Sequence, residues 1–200
     1  VRVASLHKMG TLVRVPENSK KEILWALDVG ADGVLVPMVE TASDAIRAVR
    51  SAKYDPIGER GVAFTRSSKY GGHELTSYFE ESNENTFITL QCENIKGLTN
   101  LEEIANTPGV DMIFFGPFDM SASLGIPGKV EDPRVKEAAM KLLQICKNAG
   151  KAAGTFASTA EEALNRIREG FNLVGLGIEA TIYLNAVKSL VTSVKNKMLK

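Results

Sequence analysis

The sequence predicts an α/β protein built on a parallel sheet, of the TIM-type (β/α)8 barrel class. Three observations lead there. Short apolar runs alternate with amphipathic helices six times along 200 residues, and strands buried on both faces in such alternation form a parallel sheet. No Gly-x-Gly-x-x-Gly turn follows the first strand, which weakens a doubly wound dinucleotide-binding sheet. Polar residues gather where strands end, at Arg14, Gln91, Glu93 and Asp119, and a barrel brings those ends to one mouth.

The elements follow in order. Residues 1–10 read as the end of a helix, and Thr11–Val15 as a buried strand. A helix starts near Ser19, presents Ile23, Leu24 and Leu27 on one face, and stops at Gly30. Gly33–Pro37 is the second strand. Thr41 and Asp44 form a capping-box pattern before a stripe of Ala45, Ala48, Val49 and Ala52. Residues 54–73 then break the rhythm, with Pro56, Gly58, Gly61, Gly71 and Gly72 in a connection long enough to suggest function or mobility. A short helix over Glu74–Glu81 leads into the strand Phe87–Glu93, apolar until its last three residues. Leu101–Asn106 is a short helix, and the strand Asp111–Gly116 runs into Gly-Pro-Phe-Asp. Asp132 caps a helix with Pro133 at its first position and Gly150 at its end. Lys151–Phe156 is a strand. Ser158 with Glu161 caps the helix ending at Gly170, Phe171–Gly177 is the last strand, and a final helix runs from Thr181 to the terminus.

That is two units short of eight. The chain opens Val1-Arg2-Val3 on a helix tail, so the expectation is a single partial barrel domain over residues 1–200, with the first two strand–helix units missing upstream.

Composition narrows the partners. Hydrophobic residues at 44% and charged residues at 24% suit a globular protein. Lys+Arg and Asp+Glu both number 24, so charge gives no reason to expect nucleic acid or an anionic membrane as partner. No apolar run approaches a membrane span. Cys92 and Cys146 match no metal-ligand spacing and build no disulfide framework. A cytoplasmic enzyme is expected.

Glu93 closes a strand as apolar as Phe87–Leu90, where a carboxylate is costly to desolvate without a partner. It either reaches water, pairs with an arginine, or holds a cation. Asp119 lies just past the next strand, and neighbouring parallel strands end about 5 Å apart. Two carboxylates converging there repel each other unless a cation lies between them. Oxygen donors without histidine or cysteine favour a hard ion such as Mg2+ or Mn2+. Gly116 and Pro117 either form an ordinary turn or expose the amides of Phe118 and Asp119 to an anion. Arg14 points into the mouth, where it would stabilise an enolate oxyanion, or makes a structural ion pair. Arg66 is expected at the surface. No lysine ends a strand, since Lys151 begins one and Lys96 lies beyond Glu93, which disfavours a Schiff base. Neither His7 nor His73 is placed convincingly as a base.

Four segments, Leu12-Val13-Arg14-Val15-Pro16, Gly33-Val34-Leu35-Val36-Pro37-Met38-Val39, Gln91-Cys92-Glu93 and Gly116-Pro117-Phe118-Asp119-Met120-Ser121, resemble in order the signatures of the HpcH/HpaI aldolase (citrate lyase β-subunit-like) family. The resemblance implies a (β/α)8 barrel with a swapped last helix, assembled as a dimer or trimer of dimers. It implies metal-dependent class II cleavage of 4-hydroxy-2-oxo acids, such as 4-hydroxy-2-oxoheptanedioate or 2-keto-3-deoxy sugar acids, to pyruvate and an aldehyde. By motif, Glu93 and Asp119 would hold the metal (Mg2+ or Mn2+, with Co2+ a further candidate). Arg14 would stabilise the enolate, Gln91 would support the metal site, and the Gly116–Asp119 turn would hold the pyruvate carboxylate. Two departures stand out: Cys92 replaces an apolar residue, and the family's Asp-x-Glu-His segment, which carries the proton-transfer histidine, is absent. The competing readings are an acyl-CoA lyase of the malyl-CoA or citryl-CoA type and a truncated, non-catalytic fragment that binds metal and oxo acids.

Overall fold

The computed structural model describes residues 1–72 and 74–198. Six strands, β1 (Leu12–Arg14), β2 (Gly33–Val36), β3 (Phe87–Cys92), β4 (Met112–Phe115), β5 (Ala152–Ala157) and β6 (Leu173–Leu176), pair in parallel and in strict chain order. A doubly wound sheet reverses its strand order at a switch point. This one never does, and it curves as a half-barrel whose edges are β1 and β6.

The helices form where the sequence supplies caps and apolar stripes. After α1 (Arg2–Leu6), α2 (Lys20–Asp28) begins at Ser19, whose hydroxyl accepts from the Glu22 amide. The helix α3 (Ala42–Ala52) begins on the full Thr41/Asp44 capping box. Then come α4 (Leu75–Asn85), longer than the sequence suggested, and the short α5 (Ile95–Thr99), α6 (Leu101–Ala105) and α7 (Pro117–Ser123). Neither α5 nor α7 was legible, because each lacks room for a repeating stripe. Asp132 caps α8 (Pro133–Asn148). The cap of α9 (Ala160–Glu169) sits one residue later than expected. Thr159 accepts the Glu162 amide, and the Glu162 carboxylate accepts the Ser158 amide, so Glu162 and not Glu161 closes the helix start. Left-handed Gly170 (φ 113°) ends α9. Last comes α10 (Glu179–Met198); the end of the expected final helix lies outside the described residues, as does His73.

Strand alternation divides the side chains between two layers. Val34, Val36, Ile88, Leu90, Cys92, Ile113 and Phe115 face the helices and form the main core with Ile23, Leu27, Ala45, Val49, Leu101 and Leu142. Arg14, Leu35, Thr89, Gln91 and Phe114 share register on the concave face. Cys92 and Cys146 are free and buried, and burial pushes both thiols up to about 12, so Cys92 behaves as a small hydrophobe.

The long connection after α3, described over residues 54–72, leads to α4 and then β3 and lies at the N-terminal end of the sheet opposite the mouth. It is folded around Arg60, 5% exposed, which pairs with Asp28 at 3.0 Å and lies over the Tyr54 ring at 4.7 Å. Lys53 donates to the carbonyls of Thr86 (2.7 Å) and Asn83, and desolvation lowers its pKa. Arg66 is half-buried against Gly30 rather than fully at the surface. Removing one partner of a buried pair leaves the other charge poorly solvated. Arg60→Ala is therefore expected to lower stability by about 3 kcal/mol in urea denaturation; a loss below about 1 kcal/mol, the usual effect of an exposed pair, would show that the connection does not depend on Arg60.

Candidate active site

The site is built at the C-terminal ends of β3 and β4. Thr89, Gln91 and Glu93 are two residues apart, so the strand places all three on the concave side. Glu93 lies one residue beyond β3 and is only 2% exposed. Its Oε1 accepts the Met38 amide at 2.8 Å and its Oε2 accepts the Gln91 side-chain amide. The other amide atom, Oε1 of Gln91, is buried with no partner, as is Oγ1 of Thr89 behind it.

Asp119 reaches the same point by a different route. The Gly116 amide donates to the Cys92 carbonyl at 3.1 Å, extending the ladder so that residue 116 lies beside Glu93. A Cβ at 116 would fall 2.8 Å from Glu93 Cβ and 3.0 Å from Gln91 Nε2, so only glycine fits. Pro117 then starts α7, which puts Asp119 in its first turn and leaves the Phe118 and Asp119 amides without intrahelical acceptors. Ser121, fully buried, donates to the Phe118 carbonyl at 2.6 Å and accepts the Gly128 amide at 2.9 Å, fixing the turn. The Phe118 ring is half exposed and packs 6.4 Å from Phe156.

Desolvation is the largest cause raising the Glu93 pKa, and the nearby Asp119 carboxylate raises it further through charge and hydrogen bonding. The Met38 amide and the Arg14 charge oppose this. Arg14 itself is exposed at the end of β1; its neighbour Val13 packs on the main core, so Arg14 points to the concave side.

Arg14, Gln91, Glu93 and the Gly116–Asp119 turn thus lie at one mouth, with Gln91 and Gly116 against Glu93, whereas Arg66 packs against Gly30 away from it. Sequence reasoning missed Met38 and Ser121. Met38 has φ 53°, a left-handed conformation uncommon outside glycine and found where surroundings enforce it; a methionine gives no sign of it in sequence. Of the lysines, Lys151 donates to the Val110 carbonyl at the N-terminal end of β5, and Lys96 pairs with Glu40. His7 caps α1. Among the described residues no group of three or more His, Cys, Asp or Glu side chains could hold a metal, so any cation here would rest on two carboxylates plus substrate and water. The donor chemistry fits such an ion: two oxygen anions and a further unpartnered carbonyl oxygen at Gln91.

The profile of the family described as HpcH/HpaI aldolase/citrate lyase matches residues 2–186. A 4-hydroxy-2-oxovalerate aldolase of Rhodococcus jostii is 37% identical over 178 residues, 89% of this chain and 68% of that protein. A 2-keto-3-deoxy-L-rhamnonate aldolase of Escherichia coli is 35% identical over 88% of this chain and 66% of its own length. The chain therefore spans about two thirds of the curated relatives it matches. A crystal structure of a family member from Burkholderia cenocepacia superposes with a TM-score of 0.90 at 32% identity, covering 97% of this chain and 77% of that one.

Because the folded pKa of Glu93 is raised, the folded protein holds the proton more tightly than the unfolded chain does. Its contribution favours folding below the ordinary value of 4.5 and is lost as pH rises through the raised value. In metal-free buffer, Glu93→Gln is expected to raise Tm relative to the parent, with a gap that widens as pH increases above 4.5. A gap that is constant with pH would show that the carboxylate is not destabilising. Gly116→Ala forces Glu93 and Gln91 apart and is expected to lower Tm while disturbing the mouth.

Proposed function

The chain belongs to the HpcH/HpaI aldolase/citrate lyase family, and from that membership we propose that it forms the metal- and oxo-acid-binding part of a carbon–carbon lyase. The reaction is reversible cleavage of a 4-hydroxy-2-oxo acid to pyruvate and an aldehyde, the class to which the names of the two relatives belong. One observation carries the reading: a carboxylate 2% exposed, Glu93, faces a second carboxylate, Asp119, and has no cation paired with it among the described residues, its other hydrogen bonds coming from the neutral Met38 and Gln91 amides.

Glu93 and Asp119 would hold a divalent cation, which would supply Lewis-acid polarisation of the 2-oxo group; Mg2+ and Mn2+ suit the oxygen donors, with Co2+ a further candidate. Gln91 keeps Glu93 Oε2 in place and leaves its own carbonyl oxygen free to accept a hydrogen bond in the site. The Phe118 and Asp119 amides, at the start of α7, receive the substrate carboxylate. Gly116 and Pro117 let backbone approach that carboxylate closely. When the C3–C4 bond breaks, its electron pair moves onto the C2 oxygen, and the Arg14 guanidinium stabilises the enolate that forms. The 4-hydroxyl proton goes to a base and the aldehyde departs; protonation at C3 then gives pyruvate. The proposed source of that base is the Asp-x-Glu-His segment of the family.

The same reading completes the six strands to a (β/α)8 barrel and makes the protein a homo-oligomer, a dimer or trimer of dimers. Exposed Ile182, Tyr183, Leu190 and Val194 on α10 support a partner there. No described helix is long and apolar enough to cross a membrane, and a cytoplasmic setting is proposed.

In protein that carries the family's Asp-x-Glu-His segment, Glu93→Ala and Asp119→Ala are each expected to abolish metal-stimulated pyruvate release from 4-hydroxy-2-oxo acids, a loss of at least about 100-fold in a coupled lactate dehydrogenase assay. Parent-like turnover in either variant would refute the ligand assignment.

A further inference from the structure

We propose that Glu40 is a positioning residue that fixes the Glu93 carboxylate in its metal-binding orientation, acting through the backbone of Met38. The proposal rests on the reading of Glu93 as a metal ligand. The loop between β2 and α3 touches the segment after β3 at two places. In the first, the Met38 amide donates to Glu93 Oε1 at 2.8 Å. That donor is aimed correctly only because Met38 holds φ 53°, a conformation an ordinary side chain leaves unless its neighbours prevent it.

The second contact is what prevents it. Two residues on, the Glu40 carboxylate accepts Asn94 Nδ2 at 3.0 Å and Lys96 Nζ at 2.8 Å, while its carbonyl accepts Asn100 Nδ2 at 2.8 Å. Asn94 directly follows Glu93 and caps α5 by accepting the Gly97 amide at 2.8 Å. Between the two contacts, Val39 is 1% exposed, and its carbonyl would lie 2.8 Å from any Cβ at position 97. The far side of the loop is fixed as well, since the Glu40 and Thr41 amides both donate to Asp44. Met38 thus sits between Pro37 and an anchored Val39–Glu40 pair, with no slack to relax.

Stability does not account for this set of contacts. The Glu40–Lys96 pair is 28% and 63% exposed, and exposed ion pairs contribute little. Its effect is geometric: it ties the residue after one carboxylate ligand to the loop that hydrogen-bonds that ligand. Groups that orient a ligand from behind commonly change metal affinity by 10–100-fold (roughly) when removed.

The test is Mn2+ binding, measured by titration calorimetry, on the parent, Glu40→Ala, Glu40→Gln, Lys96→Met and Glu93→Gln proteins, with Tm recorded for each. Glu40→Ala is expected to weaken Mn2+ binding about tenfold with little change in Tm. Glu40→Gln keeps an acceptor for Asn94 and should recover most of the affinity, and Lys96→Met should show a smaller loss in the same direction. Parent-like Mn2+ affinity in Glu40→Ala overturns the proposal; should that variant not fold, parent-like affinity in Lys96→Met does so. If Glu93→Gln abolishes binding while Glu40→Ala leaves it intact, only the positioning role fails. If the parent and Glu93→Gln bind Mn2+ equally, or neither binds, the ligand reading fails and the positioning role with it.

Discussion

Burying the Glu93 carboxylate beside that of Asp119 is the constraint around which the mouth of this half-barrel is organised. Folding alone gives no reason to place two like charges together and remove one from water. The surrounding chain nonetheless holds them there. Glycine at 116 makes the approach sterically possible, Gln91 and Met38 each donate to one oxygen of Glu93, and Ser121 fixes the turn carrying Asp119. Met38 keeps a strained backbone to make its bond. Strain, desolvation and like charge concentrated at one point are the usual mark of a site shaped by chemistry rather than stability.

The sheet explains how a sequence of this size can meet that demand. Its period of two sends Ile88, Leu90 and Cys92 into the main core and leaves Thr89 and Gln91 for the concave side. One strand can therefore be a hydrophobic anchor and a ligand platform at once. In-order parallel pairing then brings the ends of β3 and β4 together with no further device. The opposite end of the sheet has a different task. There Arg60, Asp28 and Lys53 close the long connection before β3.

The alternation of strands and helices, most caps, and the carboxylates were legible because each depends on local pattern: periodicity for α2, α3 and α8, and Gly-Pro-Phe-Asp for the turn. What stayed hidden depends on tertiary context. Sequence says nothing of a methionine held at positive φ, nor of Glu40 bridging to Asn94 and Lys96, more than fifty residues away. The 54–73 stretch was legible as unusual, but its length and glycines do not reveal which end of the sheet it occupies. Connectivity through Lys53 and Thr86 decides that. The α9 cap slipped by one residue because Ser158 and Thr159 both qualify and only packing chooses between them.

The central claim is that Glu93 and Asp119 share one divalent cation. A crystal structure of the protein grown with Mn2+ and pyruvate tests it most directly, through the anomalous signal of manganese. The account predicts a single strong peak within bonding distance of one oxygen from each carboxylate, with pyruvate oxygens completing the coordination. Manganese bound elsewhere while Glu93 keeps only its Met38 and Gln91 partners would contradict it.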